Sequence, residues 1–195
     1  MSLKNTDRWG AMSQLLHWTM VVLIVGMASV GLLMTGMANT PRKIEIYALH
    51  KSFGLTLLAL VVLRLGWRLY AGAPPPVAGT PSWQARIAAL SHAALYLMMF
   101  AMPLSGWLFN SAAGYPLQWF GLFNLPALTA SDEGLRDTAN ALHVNGFRVL
   151  LVLVLVHVSA AFYHHLFRQD ATLLRMLPRR RTHGGDANRS SCSGA

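Results

Sequence analysis

His143 and His157 stand fourteen residues apart in the last long apolar stretch of the chain. Along an α-helix, fourteen residues fall about 40° short of four whole turns and rise about 21 Å. Both imidazoles therefore share one helix face at two depths, near opposite borders of a hydrocarbon layer about 30 Å thick. Ionisable side chains inside such a layer face a bundle interior and mark function. A helix offering one imidazole toward each side of a bilayer is suited to hold two redox centres in line.

Those side chains need a membrane bundle to position them, and the composition supplies one. The chain is 54% apolar and 12% charged, with a positive mean hydropathy, against about 25% charged residues in ordinary soluble domains. Four stretches are long enough to span: 15–37, 46–70, 87–109 and 139–167. The run from Val149 to Val156 is apolar on every face, as lipid contact requires. The expected fold is all-α: an integral membrane four-helix bundle over 15–178, preceded by a short N-terminus (1–14) and followed by an Arg-, Gly- and Ser-rich tail (179–195) expected to be disordered. The first stretch shows no cleavage site of small residues, so it is read as a retained helix and not a signal peptide.

Basic residues orient the bundle. Lys4, Arg8, Arg64, Arg68, Arg86, Arg168, Arg175, Arg179, Arg180, Arg181 and Arg189 fall on one side, against Arg42, Lys43 and Arg136 on the other. The excess marks the cytoplasmic side and carries both termini with it. The net charge of +9 is thus mainly a topology signal. Nucleic acid is not an expected partner, because no basic patch accompanies a soluble recognition motif; membrane lipid is.

Each histidine then acquires a depth. His17 and His157 lie toward the inner leaflet, His50 and His143 toward the outer, and the four fall into two depth-matched pairs. Paired imidazoles from facing helices are what six-coordinate b-type haem needs, since the porphyrin leaves two axial iron positions. Two haems b held between the helices follow, with these four histidines as iron ligands. Gly31 lies fourteen residues after His17 and Arg64 fourteen after His50, so Gly31 would give room at the outer level and Arg64 can reach a haem propionate at the inner one; close helix packing is the alternative for Gly31 and snorkelling to the inner interface that for Arg64. Gly54 and Gly146, one turn from His50 and His143, would let a flat macrocycle near the backbone; close helix packing is the alternative for both. His92 also enters from the inside, and spacing alone does not choose between it and His17 as the partner of His157.

The residues resemble the bacterial cytochrome b561 family from about Arg8 to Arg181. The similarity rests on Arg8-Trp9-Gly10 with Leu16-His17-Trp18, His50 after Pro41-Arg42-Lys43, Arg64-Leu65-Gly66-Trp67-Arg68, Pro103-Leu104-Ser105-Gly106, His143 with His157 and His164-His165, and the ending Asp170 to Pro178. The resemblance implies a di-haem cytochrome exchanging electrons with the quinone pool from the bacterial inner membrane, with His17 and not His92 opposite His157. Members of that group include an enzyme that oxidises superoxide and reduces ubiquinone; relatives serve as haem subunits of hydrogenases and other dehydrogenases.

Residues for the two substrates follow from depth. Lys51 beside His50 and Arg148 beyond His143 would draw superoxide, or another periplasmic donor, toward the outer level; neutralising propionates is their other reading. His164, a side chain that exchanges protons near neutral pH, would serve ubiquinone at the inner level beside Arg8 and Ser13, with an outer site near Trp119 as the rival. In the external loop, Tyr115, Trp119 and Phe120 read as an interfacial anchor and Ser131 as the cap of the fourth helix. His165 is read as interfacial, and His183 and Cys192 are given no role. No flavin or nicotinamide motif accompanies the histidines. Three classes stay open: a superoxide:ubiquinone oxidoreductase, a haem-bearing anchor for a larger dehydrogenase or hydrogenase with an unknown protein partner, and a haem-free transporter or scaffold.

Overall fold

A computed structural model describes residues 5–178. The tail 179–195, with His183 and Cys192, and Lys4 lie outside the described residues. Four long helices make the body: α1 (Ala11–Thr35), α2 (Pro41–Ala71), α3 (Ser82–Ala112) and α4 (Glu133–Leu166). Each is long and apolar enough to cross a membrane, so the chain is a multi-pass membrane protein of the expected all-α class.

Every helix begins ahead of its apolar stretch, where turn and capping residues and not hydropathy set its start. Asn5 Oδ1 takes the backbone N–H of Gly10 at 2.8 Å ahead of α1. Pro41 opens α2 at its first position, where a missing N–H loses nothing. Gly72, in the left-handed region at φ 73°, closes it. At α4 the cap is Asp132, whose Oδ1 accepts from Leu135 N at 2.7 Å. Ser131, the expected cap, instead donates to the carbonyl of Ala112 at 3.2 Å, so it ties the loop to the end of α3. A carboxylate suits an exposed helix N-terminus better than a hydroxyl, since it also meets the helix dipole.

Helix α3 lies along α4, α1 along α2, and α2 along α3; α4 makes no comparably close backbone approach to α1 or α2. Met20, Leu57, Val61, Leu95, Met99 and Leu150 form one buried layer at mid-height. Leu33, Leu63, Leu97 and Val152 are exposed on the outside, as a lipid-facing belt must be.

The external loop is more ordered than its composition suggests. A two-stranded antiparallel hairpin, β1 (Leu117–Trp119) and β2 (Phe123–Leu125), lies against α2. Trp119 Nε1 donates to Thr56 Oγ1 at 3.1 Å, and buried Ser52 Oγ receives Phe120 N at 2.9 Å. Phe120 sits in the left-handed region at φ 48°, a conformation that a bulky residue keeps only when held. Trp119 is thus a strap on α2, beyond the interfacial anchor expected of it.

At the opposite end, a 3₁₀ turn at Leu174–Met176 is bound to the start of α1. The carbonyls of Arg175 and Met176 at its end have no partner within the turn. Arg8 donates to the carbonyls of Leu174 and Leu177 at 2.5 and 3.1 Å, Gln14 to that of Arg175 at 3.3 Å, and Trp18 to that of Met176 at 3.0 Å. Arg8→Ala is expected to release this segment: trypsin should then cut after Arg175 several-fold faster in detergent-solubilised protein. An unchanged cleavage rate would mean that Gln14 and Trp18 hold the turn without it.

Candidate functional site

The three anchored helix pairings leave α4 facing α1 and α2 across a gap, and imidazoles occupy that gap at two levels. His50 of α2 and His143 of α4 have ring centres 6.4 Å apart with planes at 79°. His17 of α1 and His157 of α4 are also 6.4 Å apart, at 74°. His92 of α3 stands closer to His157, at 5.4 Å and 65°. All five rings are half-buried. Among the described residues no group of three or more His, Cys, Asp or Glu side chains could hold a bare metal ion. A facing pair of imidazoles is a ligand set only for a metal that brings its own equatorial ligands.

Around the pairs, Arg64 donates from Nε to the hydroxyl of Tyr96 at 3.3 Å, while its Nη1 is buried without a partner. Arg68 lies over the rings of Trp9 and Tyr96 at 5.5 and 5.8 Å. A guanidinium nitrogen left bare in an apolar interior calls for an anionic acceptor. At the outer level, Nδ1 of His50 is likewise buried and unpartnered. A Cβ on Gly31 would meet His50 Cε1 at 3.4 Å, so Gly31 backs that ring. Gly54 and Gly146 open elsewhere: their Cβ positions meet Met27 Cε at 3.6 Å and Met102 Sδ at 2.9 Å. These contacts run to methionines of α1 and α3, which is the packing alternative for both glycines.

The remaining residues are dispersed. Lys51 Nζ reaches Asn110 Oδ1 at 3.1 Å and the carbonyl of Pro116 at 3.4 Å, under the hairpin. Arg148 is exposed and bonds Asn145 of its own helix at 3.0 Å; five residues beyond His143, it points about 140° away in azimuth. The two cations therefore do not converge. Ser13 is buried, donates to Asn5 Oδ1 at 2.9 Å and accepts from Trp67 Nε1 at 3.1 Å, so its proton is committed within the protein. His164 pairs with Asp170, Nδ1 to Oδ2 at 2.5 Å, while His165 is exposed. Sequence reasoning did not reach Asp170 as a partner. The signal was an acid just past the end of α4, where the chain turns back and Thr172 N caps Asp170 Oδ1 at 2.9 Å.

A chain with this bundle matches the family model described as prokaryotic cytochrome b561 over residues 8–179. The chain belongs to that family. It is similar to cytochrome b561 homolog 2 of Escherichia coli (strain K12), 35% identical over 179 residues, which cover 91% of this chain and 95% of the relative. Cytochrome b561 homolog 1 of the same organism is 28% identical over 170 residues, covering 85% and 94%. A protein of Yersinia pestis named probable superoxide oxidase CybB is 29% identical over 166 residues, covering 85% and 93%. Family membership makes the chain a membrane protein that binds b-type haem, with electron transfer as its class of chemistry.

The residues fit that group. Two metal–nitrogen bonds of about 2 Å plus two ring radii of about 1 Å make a separation of about 6 Å between axial imidazoles, and both facing pairs match it. The 5.4 Å between His92 and His157 falls short of that span and belongs to direct ring contact. Unpartnered Arg64 Nη1 is available for the counter-charge that a propionate would require.

The Asp170 carboxyl lies outside the spans. Burial raises its pKa, but hydrogen bonds from Thr172 and His164 outweigh that and hold it below the usual carboxylate value. A depressed carboxyl stabilises the fold at pH above its unfolded pKa and loses that contribution as pH falls through the folded one. Asp170→Asn should therefore lower the Tm near neutrality and flatten its dependence on pH between about pH 5 and pH 3. A parental acid slope in the variant would assign that slope to other carboxylates.

Proposed function

We propose that the chain is a di-haem b cytochrome of the bacterial inner membrane, with both termini cytoplasmic, that oxidises superoxide at its outer face and reduces ubiquinone at its inner face. The supporting observation is the repetition, at two levels of one gap, of an imidazole pair 6.4 Å apart. His50 and His143 would hold the outer haem, and His17 and His157 the inner one. When bound, the haems supply reversible one-electron exchange across the bilayer. Two superoxide anions give up one electron each and leave as dioxygen, and two electrons with two protons convert one ubiquinone to ubiquinol.

The protein's own groups handle charge and protons. Lys51, beside His50, places positive charge at the outer level where an anionic donor arrives, while Arg148 lies deeper, on the exposed side of α4. Arg64 neutralises a propionate of the inner haem. His164 donates from Nδ1 to the Asp170 carboxylate, so its Nε2 is the atom free to pass a proton to a quinone oxygen at the cytoplasmic surface. The probable superoxide oxidase of Yersinia pestis supports superoxide as donor.

One observation favours a second reading, the haem-bearing anchor of a larger dehydrogenase or hydrogenase. Arg148 and Asn145 sit among exposed Val144, Val149 and Val152, and Arg148 is two residues from Leu150 of the mid-height layer. An arginine facing lipid at that depth would gain from an acceptor on a partner helix.

Ligation is read by haem content. His50→Ala and His143→Ala should each lose half of the haem by pyridine haemochrome assay, and His92→Ala should keep all of it; two haems in either of the first two variants would refute the outer pair. Turnover separates the donors. Superoxide added to the purified chain should reduce the haems at a rate that falls with ionic strength, and ubiquinone should reoxidise them. Lys51→Gln should slow the first step and weaken its salt dependence, and His164→Ala should slow only the second. Haems that superoxide leaves oxidised would favour the anchor.

A further inference from the structure

Among the described residues, His143 is the only one of the four paired histidines whose ring makes a hydrogen bond. Its Nδ1 lies 3.0 Å from the carbonyl oxygen of Met102 and 3.1 Å from Ser105 Oγ. A carbonyl can only accept, so Nδ1 carries the hydrogen. Ser105 donates its own proton to the same Met102 carbonyl at 2.8 Å, which turns a lone pair of its oxygen toward Nδ1. One N–H is thus shared between two acceptors, and Nε2 keeps a lone pair on the side facing His50.

Steric fit supports the same end. A Cβ on Gly106 would lie 3.2 Å from His143 Cε1 and 3.4 Å from Nδ1, closer than most real contacts, so the ring lies flat against α3 only because residue 106 has no side chain. Pro103, inside α3, fixes its φ at about −65° and removes one backbone donor next to the Met102 carbonyl. Met102, Ser105 and Gly106 together form a cradle with the shape of one imidazole in one rotation and one tautomer.

We infer that the Met102–Gly106 segment is a positioning element that sets the outer haem apart from the inner one. The inference rests on the proposed ligation by His143. A hydrogen bond from the distal ring nitrogen makes the ligating nitrogen a stronger donor, which favours ferric iron and lowers the potential of the outer centre. At the inner level neither His17 nor His157 has such an acceptor, and Arg64 stands near enough to act on both rings. A nearby guanidinium favours the less positive, ferrous state. The two arrangements push in opposite directions and make electron flow from the outer to the inner level downhill.

Redox titration of the haem-loaded protein in detergent, followed by its visible absorption, tests this. Two waves are expected, and His143→Ala should abolish the lower one. Ser105→Ala should raise the lower wave and leave the higher one in place, while Ser105→Thr, which keeps the hydroxyl, should restore the parental value. If Ser105→Ala retains no outer haem, Ser105→Cys, with a weaker acceptor, takes its place and should also raise the lower wave. Gly106→Ala should turn the ring and reduce the g-anisotropy of the outer low-spin signal in electron paramagnetic resonance. Two haems in His143→Ala would defeat the ligation itself. One haem in that variant, with both waves unmoved or the higher one shifted in the Ser105 variants, would leave ligation standing and overturn the positioning role.

Discussion

A polar ring nitrogen inside a bilayer has little water to fall back on, and this bundle concentrates that demand in one gap. Helix α4 packs along α3 and stands off from α1 and α2, and imidazoles face one another across the space on either side of the apolar layer at mid-height. An apolar bundle would close such a gap, since lipid-embedded helices associate through close backbone contact. Here half-buried rings face each other at the width that two axial bonds to a metal would take up. Gly31 behind His50 and Gly106 behind His143 then acquire a common meaning: each lets a ring lie close against the helix next to it, so that both rings project into the gap.

The two levels are alike in ligands and unlike in surroundings. Above, the hairpin strap from Ser52 and Thr56 to Trp119 and Phe120 covers α2 one turn from His50, and Lys51 is tied into that loop. Below, Arg64, Arg68 and Tyr96 form a cationic and aromatic cluster, and the carbonyl-rich turn at 174–177 closes over the start of α1. Under the proposed ligation, unlike surroundings give the two centres unlike potentials.

What could be read from the sequence follows from what a helix repeats. A spacing of fourteen residues encodes both azimuth and depth, so the pairing of levels was legible without a structure, as were the four spans and their class. Helix ends were less so: Asp132 and Ser131 are both good caps by type, and only the backbone geometry chose Asp132. Contacts between helices were not legible at all. Nothing in Pro103-Leu104-Ser105-Gly106 as a string says that its hydroxyl and its missing side chain address a histidine 38 and 37 residues later, because that depends on how α3 and α4 rotate against each other. The glycines near the histidines stayed open for the same reason: sequence alone left haem clearance and helix packing side by side for Gly54 and Gly146, and their Cβ positions meet methionines.

His92 shows how distance can separate residues that type and depth leave equivalent. Three imidazoles share the inner level, and two of them approach His157. The nearer one is the weaker candidate for an axial ligand, because ring centres 5.4 Å apart leave too little space for a metal and its two bonds, whereas the 6.4 Å to His17 accommodates them. Contact at that shorter distance has its own use: an edge-to-face ring beside His157 restricts its rotation without a hydrogen bond. On this account His92 does for His157 by packing what Ser105 and Met102 do for His143 by hydrogen bonding. The difference matters electronically, since packing holds a ring in place but leaves the donor strength of its nitrogens unchanged.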